Sequence, residues 1–376
     1  MKPEKSPLSK GLFTRRFLPN LVLRWINKAC PKKIGSAAIP ENPKKILLCN
    51  IASFGDLVIA TTVLPVLKRK FPECEIGFLA SRGPGKEVLA GHPLISRVHF
   101  YDHPYLHAST CKAALQLNRA TLDEVQREHY PLAIDLYPYF PNTIPFLYRA
   151  RIPVRIGYGT GGFSNLLTHV AKWTFSDQYV GVAQLHLLTH LNIDVSQDCP
   201  LADYNKKRGT GNYVVVHVGS SNRLKEWEIE KWVLLIKQLQ EYGFEIWLTG
   251  LGDRQGKMCR YIRSKTQAQD LSNCLSWDQF TQTVQEAQGL ITVDSAAVHL
   301  AAAVSVPTVV LCSGMHSSKM WLPPTPYCRG VMRQVACAPC FQKRGCKTME
   351  CIRELEVDQV LACVKALMPV PSPLQG

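Results

Sequence analysis

No window of this sequence approaches the ~20 uninterrupted apolar residues a bilayer-spanning helix needs, which excludes a helical membrane span. There is no G-x-x-x-x-G-K-[ST] stretch, so a Walker A phosphate loop is excluded. No Asp-x-Asp pair occurs, so a paired-carboxylate metal clamp of that kind is missing. Short internal repeats and low-complexity tracts are also missing. Acids are almost absent from the head of the chain. There Lys2, Lys5, Lys10, Arg15, Arg16, Arg24, Lys28, Lys32, Lys33, Lys44 and Lys45 face only Glu4 and Glu41. This head carries more than half of the net charge of +15. Such an excess favours a polyanionic partner, either nucleic acid or an anionic membrane surface.

At 376 residues the chain has room for two domains of roughly 150 residues each. Its cysteines, among them Cys49, Cys74, Cys259 and Cys312, are mostly isolated in apolar contexts, which suggests a reducing compartment. The N-terminus makes a poor signal peptide: Arg15, Arg16, Pro19 and Arg24 break its apolar residues. A cytoplasmic protein is expected. Residues 11–28, GLFTRRFLPNLVLRWINK, mix apolar and basic residues as an interfacial membrane helix does. A helix docked on its own domain with a basic outer face fits them equally.

After Pro43 strands and helices alternate. A continuous apolar run predicts a buried strand at 44–51, and 75–81, 97–102, 131–137 and 154–159 also read as strands, with a helix over Leu57–Lys70. DYNKKRGTGN (203–212) reads as a linker. Strands then recur at 213–219, 244–250, 289–293 and 307–312, with helices at 229–242, 254–265, 277–288 and 296–304. The pattern predicts two α/β domains in series, each a parallel sheet covered by helices on both faces. Ligands in such sheets bind beyond the carboxyl ends of the strands.

Four stretches carry chemistry. In NIASFGDLVIATTVLPVLK (50–68), Asp56 follows Gly55 at the mouth of a helix, where it can cap or act as a base. In VVVHVGSSNRLKEW (214–227), Lys225 follows a turn bearing Ser220 and Ser221. A lysine there can meet charge building on a phosphate leaving group, or it is a solvated loop residue. In LTGLGD (248–253), Asp253 can accept hydrogen bonds from a ribose diol, or cap the next helix. In ITVDSAAVHLAAAVSVPTVVL (291–311), Asp294 and Ser295 precede a small-residue helix. The first-turn amides near Ala296 and Ala297 suit a diphosphate. Ordinary capping explains Asp294 and Ser295 but not His299 one turn on. GYGTGGF (157–163) opens no clear helix, and HLLTH (186–190) lacks a metalloprotease glutamate. Cys337, Cys340, Cys346 and Cys351 could hold a metal, or be reduced structural thiols.

Together these motifs resemble glycosyltransferase family 9, the lipopolysaccharide heptosyltransferases, over about Lys44 to Ala366. The resemblance implies a GT-B fold, two doubly wound Rossmann-like domains facing a cleft. It implies a basic amphipathic extension (1–43), an acceptor-binding domain (44–205), a nucleotide-sugar-binding domain (206–335) and a Cys-containing tail with a helix (336–376). In such an enzyme Asp56 is the catalytic base. Lys225, flanked by Ser220 and Ser221, stabilises the diphosphate. Asp253 lies near the ribose and Asp294 near the sugar. The amides of Ser295, Ala296 and Ala297 lie at the phosphates, with His299 close by. The implied reaction is inverting transfer from ADP-heptose to the lipid A–Kdo core, with no metal and no cofactor. It would run on the cytoplasmic face of the inner membrane, which the basic arm would touch. Two departures stand out: Ala296 replaces a usual glycine, and CSGMHSSKMWLPP (312–324) replaces a usual F/Y-G-P-T/S turn. They leave another nucleotide sugar, or an epimerase on the same fold, as the alternative. A nucleic-acid-binding protein is the non-enzymatic alternative; against it, no stacking platform accompanies the basic arm.

Overall fold

The computed structural model describes residues 37–103, 112–174, 177–204, 209, 211–342, 346 and 348–368. Most of the basic arm, part of the 203–212 linker and the last eight residues lie outside the described residues. The chain divides into two compact units between Pro200 and Leu201.

The first unit runs β1 (Lys45–Asn50), α1 (Phe54–Ala60), α2 (Val63–Lys70), β2 (Glu75–Ala80), α3 (Arg82–Val88) and β3 (Arg97–Phe100). It continues with α4 (Lys112–Arg127), β4 (Leu132–Asp135), α5 (Ile144–Arg149), β5 (Val154–Tyr158), β6 (His169–Ala171) and α6 (Val180–His186). The sheet order is β3-β2-β1-β4-β5-β6, all parallel. Ile46, Leu47, Leu48 and Cys49 of β1 are buried on both faces, which is why a continuous apolar run makes this strand.

The helix expected over Leu57–Lys70 is two helices, α1 and α2, broken at Thr61 and Thr62. Pro65 explains the break. It has no N–H for the Thr61 carbonyl, and in a continuous helix its ring would clash there. The Thr61 hydroxyl donates instead to the Val58 carbonyl at 2.7 Å, closing the first helix.

The second unit runs β7 (Tyr213–His217), α7 (Ile229–Glu241), β8 (Glu245–Thr249), α8 (Asp253–Arg263), β9 (Gln269–Asp270) and α9 (Trp277–Glu286). Then come β10 (Gly289–Val293), α10 (Ala296–Ala303), β11 (Thr308–Leu311), α11 (Ser318–Trp321), β12 (Cys328–Val331), α12 (Glu350–Arg353) and α13 (Val357–Leu367). Its sheet, β12-β11-β10-β7-β8-β9, has the same parallel order as the first unit read from the other edge. In each sheet the strand order reverses between the first and fourth strands, β1/β4 and β7/β10. That switch point opens a crevice at the carboxyl ends of the strands.

The C-terminal helices α12 and α13 pack into the second unit's core. Ile352, Leu355, Val360 and Val364 share one cluster with Trp227, Trp232 and Leu248. The Trp227 indole N–H donates to the Leu355 carbonyl at 3.0 Å, and Lys231 Nζ donates to the Arg353 and Leu355 carbonyls. This cluster ties the turn that carries Lys225 to the C-terminal helices.

Candidate functional site

Each switch point carries the residues singled out in sequence. In the first unit the loop after β1 is shaped by Asn50. Its Oδ1 accepts the Ala52 N–H at 3.0 Å and its Nδ2 donates to the Asp56 carbonyl at 3.2 Å. Ser53 is the extended N-cap of α1 and Asp56 is the third residue in. The Asp56 carboxylate accepts the Ser53 N–H at 3.2 Å through Oδ2. Asp56 therefore does cap its helix, with one oxygen. Its charge also reaches the loop after β4, where it adds to burial in raising the Tyr137 and Tyr139 hydroxyls.

In the second unit the turn after β7 holds Ser220 buried. The Ser220 peptide is gripped on both sides. Its N–H donates to Glu226 Oε1 at 3.2 Å. Its carbonyl accepts from Arg254 Nη2 at 2.7 Å and Gln255 Nε2 at 3.3 Å. Glu226 and Arg254 are themselves ion-paired. Ser221 is exposed beside this peptide. Arg223–Lys225 form a short 3-10 turn, whose Lys225 N–H donates to the Asn222 carbonyl at 2.9 Å.

That turn delivers Lys225 Nζ to Asp294 Oδ2, 2.7 Å away in the turn after β10. Burial pushes the Asp294 carboxyl up, but the Lys225 charge and hydrogen bond outweigh it. With His316 and His299 adding to the pull, the carboxyl is held below its ordinary value. Asp294 is spoken for by Lys225, and Ser295 makes no side-chain cap to α10; its hydroxyl lies 3.1 Å from Thr292 Oγ1 instead. Capping therefore does not account for this pair. α10 opens at Ala296 and Ala297 with its positive end at the Lys225–Asp294 pair. His299 is buried one turn in. Burial pulls its imidazole down to about 4, against the opposing pull of Asp294, so it is neutral at pH 7.

Asp253 is the first residue of α8 and exposed. Gly252 takes the N-cap place at φ +84°, a backbone that L side chains avoid. Asp253 is thus not the cap, and it sits one residue before the Arg254 that grips Ser220.

Ser220, Lys225, Asp294, Ser295, Ala296, Ala297 and His299 come together around one switch point. Sequence reasoning missed Glu226, Arg254 and Gln255, whose role appears only when β8 lies beside β7. It also missed His316, which sits in the departing 312–324 loop and acts electrostatically on Asp294. Among the described residues no three His, Cys, Asp or Glu side chains are placed to hold a metal ion. Cys337, Cys340, Cys346 and Cys351 are free thiols, and the first three lie within electrostatic reach of Cys351.

A family model for glycosyltransferase family 9 (heptosyltransferase) matches residues 165–351. Lipopolysaccharide heptosyltransferase 3 of Escherichia coli is 26% identical over 278 residues, covering 68% of this chain and 80% of that protein. Among solved structures, the E. coli heptosyltransferase WaaC with ADP-2-deoxy-2-fluoro heptose superposes with a TM-score of 0.70 at 16% identity, over 86% of this chain and 99% of that one. A family 9 glycosyltransferase from Veillonella parvula gives 0.67 at 16%, over 88% and 98%. With this fold and these turns at its switch points, the chain belongs to glycosyltransferase family 9, the heptosyltransferases, and is a glycosyltransferase of the GT-B fold.

Proposed function

We propose that this enzyme transfers heptose from ADP-heptose to the inner core of lipopolysaccharide, with inversion at the anomeric carbon and without a metal ion. The family membership, the heptosyltransferase relative and the likeness to WaaC, solved with ADP and with an ADP-heptose analogue, support the reaction class. The observation that carries it is the Lys225–Asp294 pair at the opening of α10. A fixed cation beside uncapped helix amides is a place for a diphosphate to develop charge as it leaves.

In this reading the second unit binds the donor. The amides at Ser295, Ala296 and Ala297 and the ammonium of Lys225 receive the diphosphate. Ser220 and Ser221 line its approach, Asp253 accepts from the ribose diol, and Asp294 orients the sugar. His299, kept neutral, adds no charge that would compete with Lys225. The first unit binds the acceptor and supplies Asp56. As the donor C–O bond breaks, negative charge gathers on the diphosphate and the anomeric carbon becomes oxocarbenium-like. The acceptor hydroxyl attacks the opposite face, and its proton passes to Asp56. An acid at a helix N-terminus is a weak base. That suits a step in which proton removal follows donor bond breaking.

The acceptor lies in an anionic membrane, and the basic arm (1–43) would hold the enzyme on the cytoplasmic face of the inner membrane. No helix among the described residues is long and apolar enough to cross it. Thermal-shift titration separates the donors. ADP should raise the melting temperature and UDP and GDP should not, with EDTA leaving turnover unchanged. Stabilisation by UDP or GDP instead of ADP would favour a different nucleotide sugar, and loss of turnover in EDTA would end the metal-free reading.

A further inference from the structure

The loop between β4 and α5 is fixed more firmly than a connection requires. Asp135, buried at the end of β4, spends its carboxylate on it. Oδ1 accepts the Tyr137 N–H at 3.0 Å, and Oδ2 accepts both the N–H and the hydroxyl of Thr143, at 2.9 and 2.8 Å. Burial pushes this carboxyl up to about 6, against the pull of those hydrogen bonds.

The glycine run after β5 braces the same loop. The Thr160 hydroxyl donates to the Pro138 carbonyl, and Asn142 Nδ2 donates to the Gly162 carbonyl at 3.4 Å. A Cβ on Gly161 would come within 2.6 Å of both the Tyr139 carbonyl oxygen and Asn142 Nδ2. GYGTGG, which opens no cofactor helix, has a use here: Gly161 lets two backbones approach closely.

What the loop presents is aromatic. Tyr137 and Tyr139 meet edge to face with ring centroids 5.4 Å apart. Tyr139 lies 6.0 Å from Trp173, which in turn meets Tyr158 at 5.0 Å. Tyr137 and Tyr139 are only half-buried. Because β4 lies beside β1 and parallel to it, this loop and the Asp56 loop leave the sheet at the same carboxyl end. The Leu136 N–H donates to the Cys49 carbonyl at 2.9 Å, and the Asp56 charge acts on both tyrosine hydroxyls.

We propose that Tyr137 and Tyr139 form the platform on which the acceptor sugar rests beside Asp56, with Asp135 and Gly161 as positioning residues behind it. A pyranose presents C–H bonds on its faces and hydroxyls at its edge. A tyrosine ring offers a negative face to the first. The proposal rests on the reading of Asp56 as the base, because only that reading brings the acceptor to this end of the sheet.

The test is titration of deacylated lipopolysaccharide core oligosaccharide into the full-length enzyme with ADP present, alongside steady-state kinetics. Tyr139→Leu keeps the bulk and removes the ring. It should weaken acceptor affinity about three- to tenfold, raise acceptor KM to match, and leave ADP affinity and donor KM unchanged. Gly161→Ala, which displaces the loop, should produce the same split. Unchanged acceptor affinity in both variants, an equal loss of ADP affinity, or no saturable binding of the oligosaccharide to the wild-type enzyme would overturn the proposal. Asp56→Asn separates the two ideas. If it turns over normally, the base assignment fails, while the acceptor affinities of the tyrosine variants still report on the platform.

Discussion

Lys225 Nζ lies 2.7 Å from Asp294 Oδ2, joining the turn after β7 to the turn after β10 across the switch point of the second unit. Both side chains are largely covered, at 16% and 19% exposure, so the pair is held rather than waving in solvent. Removing one partner of such a pair strands the other. Lys225→Met is therefore expected to cut kcat/KM by roughly 10²–10³, the scale of losing a preorganised electrostatic donor. ADP affinity should fall as well. Steady-state kinetics and calorimetric ADP titration check this; near-normal values in both would remove Lys225 from the reaction.

The grip on the Ser220 peptide makes a separate prediction. Arg254 holds its carbonyl at 2.7 Å and also pairs with Glu226, which holds its N–H. Arg254→Ala should raise donor KM about tenfold, the scale of a hydrogen bond to a charged group, with a smaller change in kcat. An equal fall in kcat would place Arg254 on the reacting phosphates instead.

Acid should destabilise the second unit. Burial holds both His217 and His299 down at about 4 in the folded chain. Unfolded, each takes a proton near 6.5. The unfolded state thus binds more protons between those values, and stability is lost as pH falls through this window. Each histidine contributes at most about 3 kcal/mol. Asp135 in the first unit has the opposite sign. Its carboxyl is raised to about 6, so its contribution is full below pH ~4 and lost as pH rises through 6. Calorimetric scans from pH 7 to pH 4.5 should show the second unit's transition moving down, and His217→Gln should flatten that slope. A pH-independent transition would contradict the buried neutral imidazoles.

Most of the nine strands legible in sequence are apolar runs largely buried inside a parallel sheet; Arg97–Phe100, with Arg97 exposed, is the one edge strand among them. The strands that were not legible are short edge elements. His169–Ala171 and Cys328–Val331 have exposed positions, and Gln269–Asp270 has only two residues. The break between α1 and α2 was written in Pro65, but the apolar period running through it hid the signal. At the site, residues on turns directly after strands were legible, because a turn at a strand's carboxyl end announces its place. Arg254 and Gln255 sit inside an ordinary-looking helix, and only the pairing of β7 with β8 brings them to Ser220. Trp227 reads as part of a donor motif, yet it is buried and bonded to Leu355, so its part is to anchor the Lys225 turn. At Asp56 one carboxylate oxygen takes the Ser53 N–H, and the same charge acts on Tyr137 and Tyr139, so capping leaves the proposed base role open to test.

Donor turnover by the purified full-length enzyme tests the account most directly, with ADP-heptose as donor and Kdo₂–lipid A as acceptor. Wild-type enzyme is expected to release ADP and add one heptose to the acceptor. Asp56→Asn is expected to bind ADP-heptose with near-normal affinity and to lose turnover by roughly 10²-fold or more, the scale of a general base. Intact turnover in Asp56→Asn, or a wild-type enzyme that ignores ADP-heptose and turns over another nucleotide sugar, would contradict it.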